Sequence, residues 1–214
     1  MAGNVANIDP YGPSAGRVHP EHYKRPDSLI IDIHGHIMTE GVDEEVRKHV
    51  PAMSLDAVKY ASPLTREISK KQNEDRHEEL VGVTKRLADM DKMCVDVRAI
   101  SPQPPQMHYD APEALGQETA QKVNDNIANA VSQAPDRLIG LGTVPLQNTD
   151  MALKELDRLI GELGFKGIQI GAQIGKDELS AERLEPFWAR CEELDIPILL
   201  HPTSFASDRF GAHY

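Results

Sequence analysis

The chain has 214 residues, of which 40% are hydrophobic and 27% are charged, and its formal net charge at pH 7 is −11. This length and apolar content suffice for one substantial core, and the negative charge would repel a phosphate backbone, which excludes nucleic acid as an expected partner. No apolar run reaches the roughly 20 residues of a membrane helix, and no secretory signal opens the chain. We therefore expect a cytoplasmic protein with no membrane partner.

The first 28 residues combine proline and glycine in a way that disfavours both helix and central strand. They contain Pro10, Gly12, Pro13, Gly16, Pro20 and Pro26. We predict that residues 1–28 form an N-terminal arm that precedes the folded domain.

Five continuous apolar runs follow the arm, a pattern typical of parallel strands that are buried on both faces. The predicted strands are 29–33, 95–100, 138–144, 167–170 and 196–200. Helical patterns precede each of the later strands. The first predicted helix has an apolar stripe that comprises Leu80, Val83, Leu87, Met90 and Cys94. The next two predicted helices end near Pro135 and Gly164, and the last predicted helix begins at Pro186.

The alternation of strand and helix predicts right-handed βαβ units and an α/β fold, either a doubly wound sheet or a barrel. The interval from about residue 38 to residue 75 is too long for a simple connection. We predict that it is an inserted loop over the carboxyl edge of the sheet, where such insertions commonly shape an active site.

Histidines mark the carboxyl ends of two predicted strands. His34 and His36 are separated by one residue at the end of the first strand, and His201 follows the fifth. Alternation along a strand would place the first two imidazoles on one face, close enough to share an ion. A His-x-His pair is a weak signal in a chain with nine histidines, but parallel α/β folds place their sites at these strand ends.

These three imidazoles predict a divalent metal site. Zn²⁺ is the expected ion, and Mn²⁺, Fe²⁺ and Co²⁺ are alternatives. His49, His77, His108 and His213 lie in polar or loop settings, so we expect them at the surface. Cys94 and Cys191 have apolar helical neighbours and are expected to be buried thiols of a reducing compartment.

Several segments in order resemble the aminocarboxymuconate-semialdehyde decarboxylase group of the amidohydrolase superfamily. They are residues 137–147, 162–171 and 200–202, with Met90 and Asp91 before the second strand. The resemblance covers about residues 29–214. It implies a TIM-type (β/α)8 barrel of the metal-dependent hydrolase kind, with about five of its eight strands in this chain. It also implies a divalent metal, commonly zinc, at the positions of His34, His36 and His201, and a homodimer when complete.

The chain departs from that family in three respects. The family's sixth-strand histidine and eighth-strand aspartate have no counterpart before Tyr214, so residues 29–214 would form the N-terminal part of the barrel. Thr203 stands where the aminocarboxymuconate enzymes have an aromatic residue. An arginine of the family's first insertion contacts the substrate carboxylate, and Arg66 is the nearest match, predicted as a catalytic residue.

The resemblance implies a metal-dependent decarboxylase that acts on a small carboxylated aromatic or muconate-type molecule. A hydrolase or hydratase of the same superfamily is the first alternative, because the same metal-bound hydroxide attacks a lactone, an amide or a double bond. The second alternative is an inactive truncated barrel, whose unpaired edge strands would favour association.

Overall fold

A computed structural model of the protein describes residues 24–25, 27–50, 62–175 and 177–202. Most of the predicted arm, Thr203 and His213 lie outside this part. The strands are β1 (Ile31–Ile37), β2 (Val97–Pro102), β3 (Leu138–Gly142), β4 (Gly167–Gly171) and β5 (Ile198–His201). The helices are α1 (Val42–Arg47), α2 (Pro63–Asp75), α3 (His77–Val81), α4 (Thr84–Lys92), α5 (Glu113–Gln133), α6 (Thr149–Gly161) and α7 (Glu185–Glu193).

The five strands form one parallel sheet in the order β1-β2-β3-β4-β5. Each strand pairs with its neighbour in sequence, and helices connect them, as the alternation of patterns predicted. The structure extends β1 to Ile37, because it continues to pair with β2 as far as Pro102. Both histidines of β1 therefore lie within the strand.

The sheet is strongly curled. β1 and β5 are its two ends, yet the rings of His36 and His201 lie only 5.2 Å apart between centroids. Four strand spacings of about 4.8 Å would separate these residues by about 19 Å in a flat sheet. The sheet is therefore part of a TIM-type barrel, and the predicted barrel is confirmed over a doubly wound sheet.

Buried side chains of the last three helices pack with the strands to form the core. They include Val123 and Ile127 of α5, Leu156 and Leu159 of α6, and Phe187 of α7. The predicted stops are confirmed: α5 ends before Pro135, and Gly164 follows α6 with a φ of +68°, a conformation that favours glycine. Among the helices described, none has the length and apolar character that a bilayer crossing requires.

The stripe from Leu80 to Cys94 forms two helices rather than one. Gly82 separates α3 from α4 in an extended conformation, and a β-carbon there would lie 2.6 Å from the carbonyl oxygen of Glu78. The apolar spacing predicted the inward face correctly, since Met90 is fully buried. It missed the break because Leu80 and Val83 are three residues apart in sequence, a helical spacing, whatever conformation Gly82 adopts between them.

The interval predicted as an inserted loop contains two helices. α1 buries Val42 and Val46, one turn apart. α2 begins where the hydroxyl of Ser62 accepts a hydrogen bond from the backbone of Thr65 (3.1 Å), with Pro63 in the first turn. No residue of α2 is buried, and its apolar face is limited to the exposed pair Leu64 and Ile68, too short a pattern to predict a helix. Residues 51–61 of this interval lie outside the described part.

Candidate metal centre

The structure brings His34, His36 and His201 together. One ring nitrogen from each residue lies within 4.8 Å of the others, and within the described ranges this is the one group of three or more side chains that could hold a metal ion. The ring of His34 lies 4.7 Å from that of His36 and 5.4 Å from that of His201. The predicted site residues therefore meet at the carboxyl ends of β1 and β5.

The fit of a metal ion can be judged from the ring nitrogens. Nε2 of His34 and Nε2 of His36 lie 3.0 Å apart. Two nitrogens that bind one ion at about 2.1 Å each are separated by about 3.0 Å at an octahedral angle and by about 3.4 Å at a tetrahedral angle. The separation of this pair is close to both values, so the two rings are placed to share an ion, and three imidazoles suit a borderline divalent cation.

A β-bulge in β1 shapes the segment that carries the histidine pair. The register with β2 shifts between Asp32 and Gly35. The carboxylate of Asp32 accepts a hydrogen bond from the backbone nitrogen of His34 (3.1 Å) and another from Nε of Arg98 (2.8 Å). Bulges of this kind commonly re-aim side chains beside active sites, and here Asp32 holds the backbone from which His34 projects.

The Nδ1 atom of His36 contacts two groups of β2. Its Nδ1 lies 3.0 Å from the carbonyl oxygen of Pro102 and 3.1 Å from Oγ of Ser101. The backbone oxygen of His36 accepts a hydrogen bond from the guanidinium of Arg86 (2.8 Å). Nδ1 therefore has protein partners, while Nε2 faces His34.

The electrostatic environment favours the neutral form of two of the imidazoles, those of His36 and His201. Burial lowers the pKa of His36 to about 4, and repulsion from the neighbouring His34 and His201 adds to the effect. Burial also lowers the pKa of His201, with a further contribution from His34. Neutral imidazole is the form that binds a metal, so protons compete weakly for these nitrogens near neutral pH.

Arg86 brings a buried charge close to the site. Burial, followed by repulsion from Arg98, lowers the pKa of its guanidinium to about 10. The group stays charged at neutral pH and donates to the carbonyl oxygens of His36 and Glu79. This cation stabilises the backbone at the end of β1 and further disfavours protonation of His36.

Two predictions for residues outside the triad have different outcomes. Arg66 lies in the first turns of the exposed helix α2, and its role in substrate binding stays a prediction. His108, expected at the surface, is buried, with Nε2 3.0 Å from a carboxylate oxygen of Asp43. The expectation failed because the short 3-10 turn Pro104–Met107 packs against α5 and β4, with Gln106 3.4 Å from the carboxylate of Asp43 in α1. His49 and His77 are exposed, as predicted.

Two buried polar residues next to His36 were not predicted from the sequence. Ser101 and Gln169 are buried in β2 and β4 and bond to each other, with a separation of 2.7 Å between Oγ and Oε1. Their signal in the sequence is a polar residue within an apolar strand, as in the run Gly-Ile-Gln-Ile-Gly of β4. A buried polar group needs a partner, so such a residue indicates a second polar group nearby.

Comparison with known proteins gives a consistent family. A family model described as amidohydrolase matches residues 31–213. The 2-amino-3-carboxymuconate-6-semialdehyde decarboxylase of Dictyostelium discoideum is 38% identical over 117 residues, a match that covers 55% of this chain and 33% of that protein. The 2-keto-4-carboxy-3-hexenedioate hydratase of a Sphingobium species is 26% identical over 201 residues, which covers 87% of this chain and 56% of that protein.

A solved structure shares the fold over the same region. It is the 5-carboxyvanillate decarboxylase of Novosphingobium aromaticivorans, complexed with manganese and 4-hydroxy-3-methoxy-5-nitrobenzoic acid. It is 27% identical, with a TM-score of 0.69, and the match covers 88% of this chain and 53% of that one. The chain thus spans about a third to about half of the length of the proteins it matches.

Proposed function

The chain belongs to the amidohydrolase family, whose model matches residues 31–213, and from that premise we propose that it carries the metal-binding half of a decarboxylase. The reaction is the release of carbon dioxide from a small carboxylated aromatic or muconate-type molecule. The observation that carries this proposal is the convergence of His34, His36 and His201 at the end of a curled parallel sheet. Two of the compared relatives are decarboxylases of such molecules.

We propose Zn²⁺ as the resident ion because all three donors are imidazoles, and Mn²⁺ as the alternative because the related 5-carboxyvanillate decarboxylase is complexed with manganese. When bound, the ion would supply positive charge that polarises substrate oxygens and stabilises the negative charge left as the carboxylate departs. The neutral state of His36 and His201 favours its binding.

The chain's own residues contribute orientation and charge. His34 and His36 hold their relative positions through the β1 bulge and the contacts to β2. Arg66 is proposed to bind the substrate carboxylate, since a guanidinium pairs with a carboxylate through two parallel hydrogen bonds. The residue that protonates the product carbon is proposed to lie beyond the described ranges.

We further propose a cytoplasmic homodimer that acts on small molecules and not on nucleic acid. Support for the cytoplasm comes from Cys94 and Cys191, which are free thiols, as suits a reducing compartment. A net charge of −11 disfavours contact with a phosphate backbone. The dimer rests on the family resemblance alone.

A product assay tests the function. The chain is incubated with Zn²⁺ or Mn²⁺ and with 5-carboxyvanillate or aminocarboxymuconate semialdehyde, and carbon dioxide release is followed together with the loss of substrate absorbance. The assayed protein includes the region proposed to supply the proton donor, and in it we expect release that depends on metal and is abolished by His36→Ala, while His77→Ala, an exposed histidine, leaves it unchanged. Tight metal binding without turnover of any carboxylated substrate would instead support the inactive barrel.

The hydratase among the relatives favours one second candidate, a hydratase or hydrolase. Hydration adds water across a double bond and keeps every carbon atom, whereas decarboxylation removes one carbon as carbon dioxide. Mass spectrometry of the product therefore separates the two reactions, with a gain of water in one case and a loss of carbon dioxide in the other.

A further inference from the structure

Three groups behind His36 form a hydrogen-bonded chain that joins β2 to β4. The Nε2 of Gln169 donates to the carbonyl oxygen of Pro102 (3.0 Å), and Oγ of Ser101 lies 2.7 Å from Oε1 of Gln169. Both the carbonyl of Pro102 and the hydroxyl of Ser101 also contact Nδ1 of His36. β2 and β4 are not adjacent in the sheet, so this contact depends on the curl of the barrel.

The direction of each hydrogen bond in this chain can be deduced. A carbonyl oxygen only accepts, so the side of the Gln169 amide that faces Pro102 is its NH₂ group, and Oε1 faces Ser101. The serine hydroxyl has one hydrogen, and its other two neighbours, Oε1 of Gln169 (2.7 Å) and the carbonyl oxygen of Gly35 (3.2 Å), are both acceptors that take it. It can then only accept from His36.

Both partners of Nδ1 in His36 are therefore acceptors. A neutral imidazole carries one proton, and two acceptors at Nδ1 draw that proton to this nitrogen. Nε2 is left with its lone pair, and it is Nε2 that faces His34 at 3.0 Å. The ring is thus held in the tautomer that can bind a metal through Nε2.

We propose that Ser101 and Gln169 are positioning residues that set the tautomer and the ring orientation of His36 for metal binding. This inference rests on the proposed metal centre and deepens it. Partners that orient a metal ligand typically contribute about 10- to 100-fold to metal affinity. Ser101 is 1% exposed and Gln169 is 0% exposed. Buried polar side chains are normally hydrogen-bonded, so both residues depend on the contacts described above, as this role requires.

The first experiment needs no metal and no activity, and its one substitution serves only to assign resonances. The chain is labelled with ¹⁵N-histidine, metal is removed with a chelator, and two-bond ¹H–¹⁵N correlations identify the protonated nitrogen of each ring at neutral pH. His36→Gln assigns its resonances. We expect His36 to carry its proton on Nδ1, and a proton on Nε2 would overturn the proposal.

The second experiment measures metal affinity with Zn²⁺ as the probe, by competition with a chromophoric chelator. Ser101→Ala is expected to weaken binding about tenfold, because Nδ1 loses one of its two acceptors, and to mix the His36 tautomers in the metal-free chain. The matched control is Thr119→Val, which removes an equally buried hydroxyl within α5 that bonds only to backbone oxygens of its own helix. It should leave affinity and tautomer unchanged.

The outcomes are distinct. Ser101→Ala that folds and binds Zn²⁺ as tightly as the wild type overturns the positioning role, and if it fails to fold, the tautomer of the wild type still decides. A wild-type chain with the expected tautomer and Zn²⁺ affinity but without decarboxylation would contradict the proposed reaction and leave this inference standing.

Discussion

A β-carbon placed on Gly35 would lie 2.7 Å from Cδ of Arg98 and 3.1 Å from the carbonyl oxygen of Ala99. The residue between the two histidines of β1 is therefore a glycine because β2 approaches too closely for any side chain. Arg98 cannot withdraw freely, since its Nε is bonded to Asp32, which in turn holds the backbone of His34.

Gly35→Ala should destabilise the chain by about 1–3 kcal/mol, the usual cost of forcing an extra methyl group into a packed site. It should also weaken Zn²⁺ binding, because a displaced Arg98 releases Asp32 from the bulge. Urea unfolding and metal titration measure the two effects. Gly161→Ala is the control, since a β-carbon there has no neighbour within 4 Å and alanine favours the helix. Equal behaviour of the two variants would contradict the packing argument.

Removal of one ligand should abolish tight metal binding. His201→Ala is expected to weaken Zn²⁺ binding by more than the roughly 100-fold that loss of a supporting partner costs. The wild-type chain should gain about 4 kcal/mol of stability when free Zn²⁺ is about 1,000 times the dissociation constant, and the variant should gain little. His49→Ala, at an exposed position, should behave as the wild type in thermal unfolding with and without metal.

The stability of the metal-free chain should rise with pH between about 4 and 6.5. In this window the unfolded chain binds a proton at His36 and the folded chain does not, because burial lowers the folded pKa to about 4. The contribution is complete above pH 6.5 and is lost as the pH falls towards 4. After allowance for partial exposure of the ring, we expect about 1–2 kcal/mol.

Paired unfolding curves of the wild type and His36→Gln in chelator isolate this contribution from other titrating groups. The difference in unfolding free energy between the two proteins should become more favourable to the wild type as the pH rises from 4.5 to 6.5. A difference that is constant with pH would show that the pKa of His36 is not lowered on folding.

Asn124 should be among the most sensitive polar positions of the core. Its fully buried amide donates to the carbonyl of Thr143 (2.8 Å) and to the buried carboxylate of Glu155 (2.6 Å), and it accepts from the backbone nitrogen of Thr143 (2.9 Å). Asn124→Ala should cost about 2–4 kcal/mol, since it leaves buried groups unsatisfied and opens a cavity.

The control for Asn124 lies on the same helix. Asn129 is exposed, so Asn129→Ala should be neutral or slightly stabilising through helix propensity. Comparison of the two variants by urea unfolding separates the buried network from the general effect of replacing asparagine within α5. Similar unfolding midpoints would show that the hydrogen bonds of Asn124 contribute little.

Much of this molecule could be predicted from local patterns. Continuous apolar runs located all five strands to within a few residues, and the prolines and glycines at the helix ends marked the stops of α5 and α6, because these signals act over a single turn or strand. The three histidines could be predicted to lie close together because each lies at the carboxyl end of an apolar run. The helices within residues 38–75 were missed because neither shows a long apolar stripe.

Tertiary structure decided what depends on contacts between distant strands. The sequence by itself determined which residues form strands and that His34, His36 and His201 lie at strand ends, because those properties depend on local spacing. Only the curl of the sheet brings β5 to β1 and Gln169 of β4 to Ser101 of β2. Strand twist and side-chain packing set that curl collectively, so no single segment encodes it.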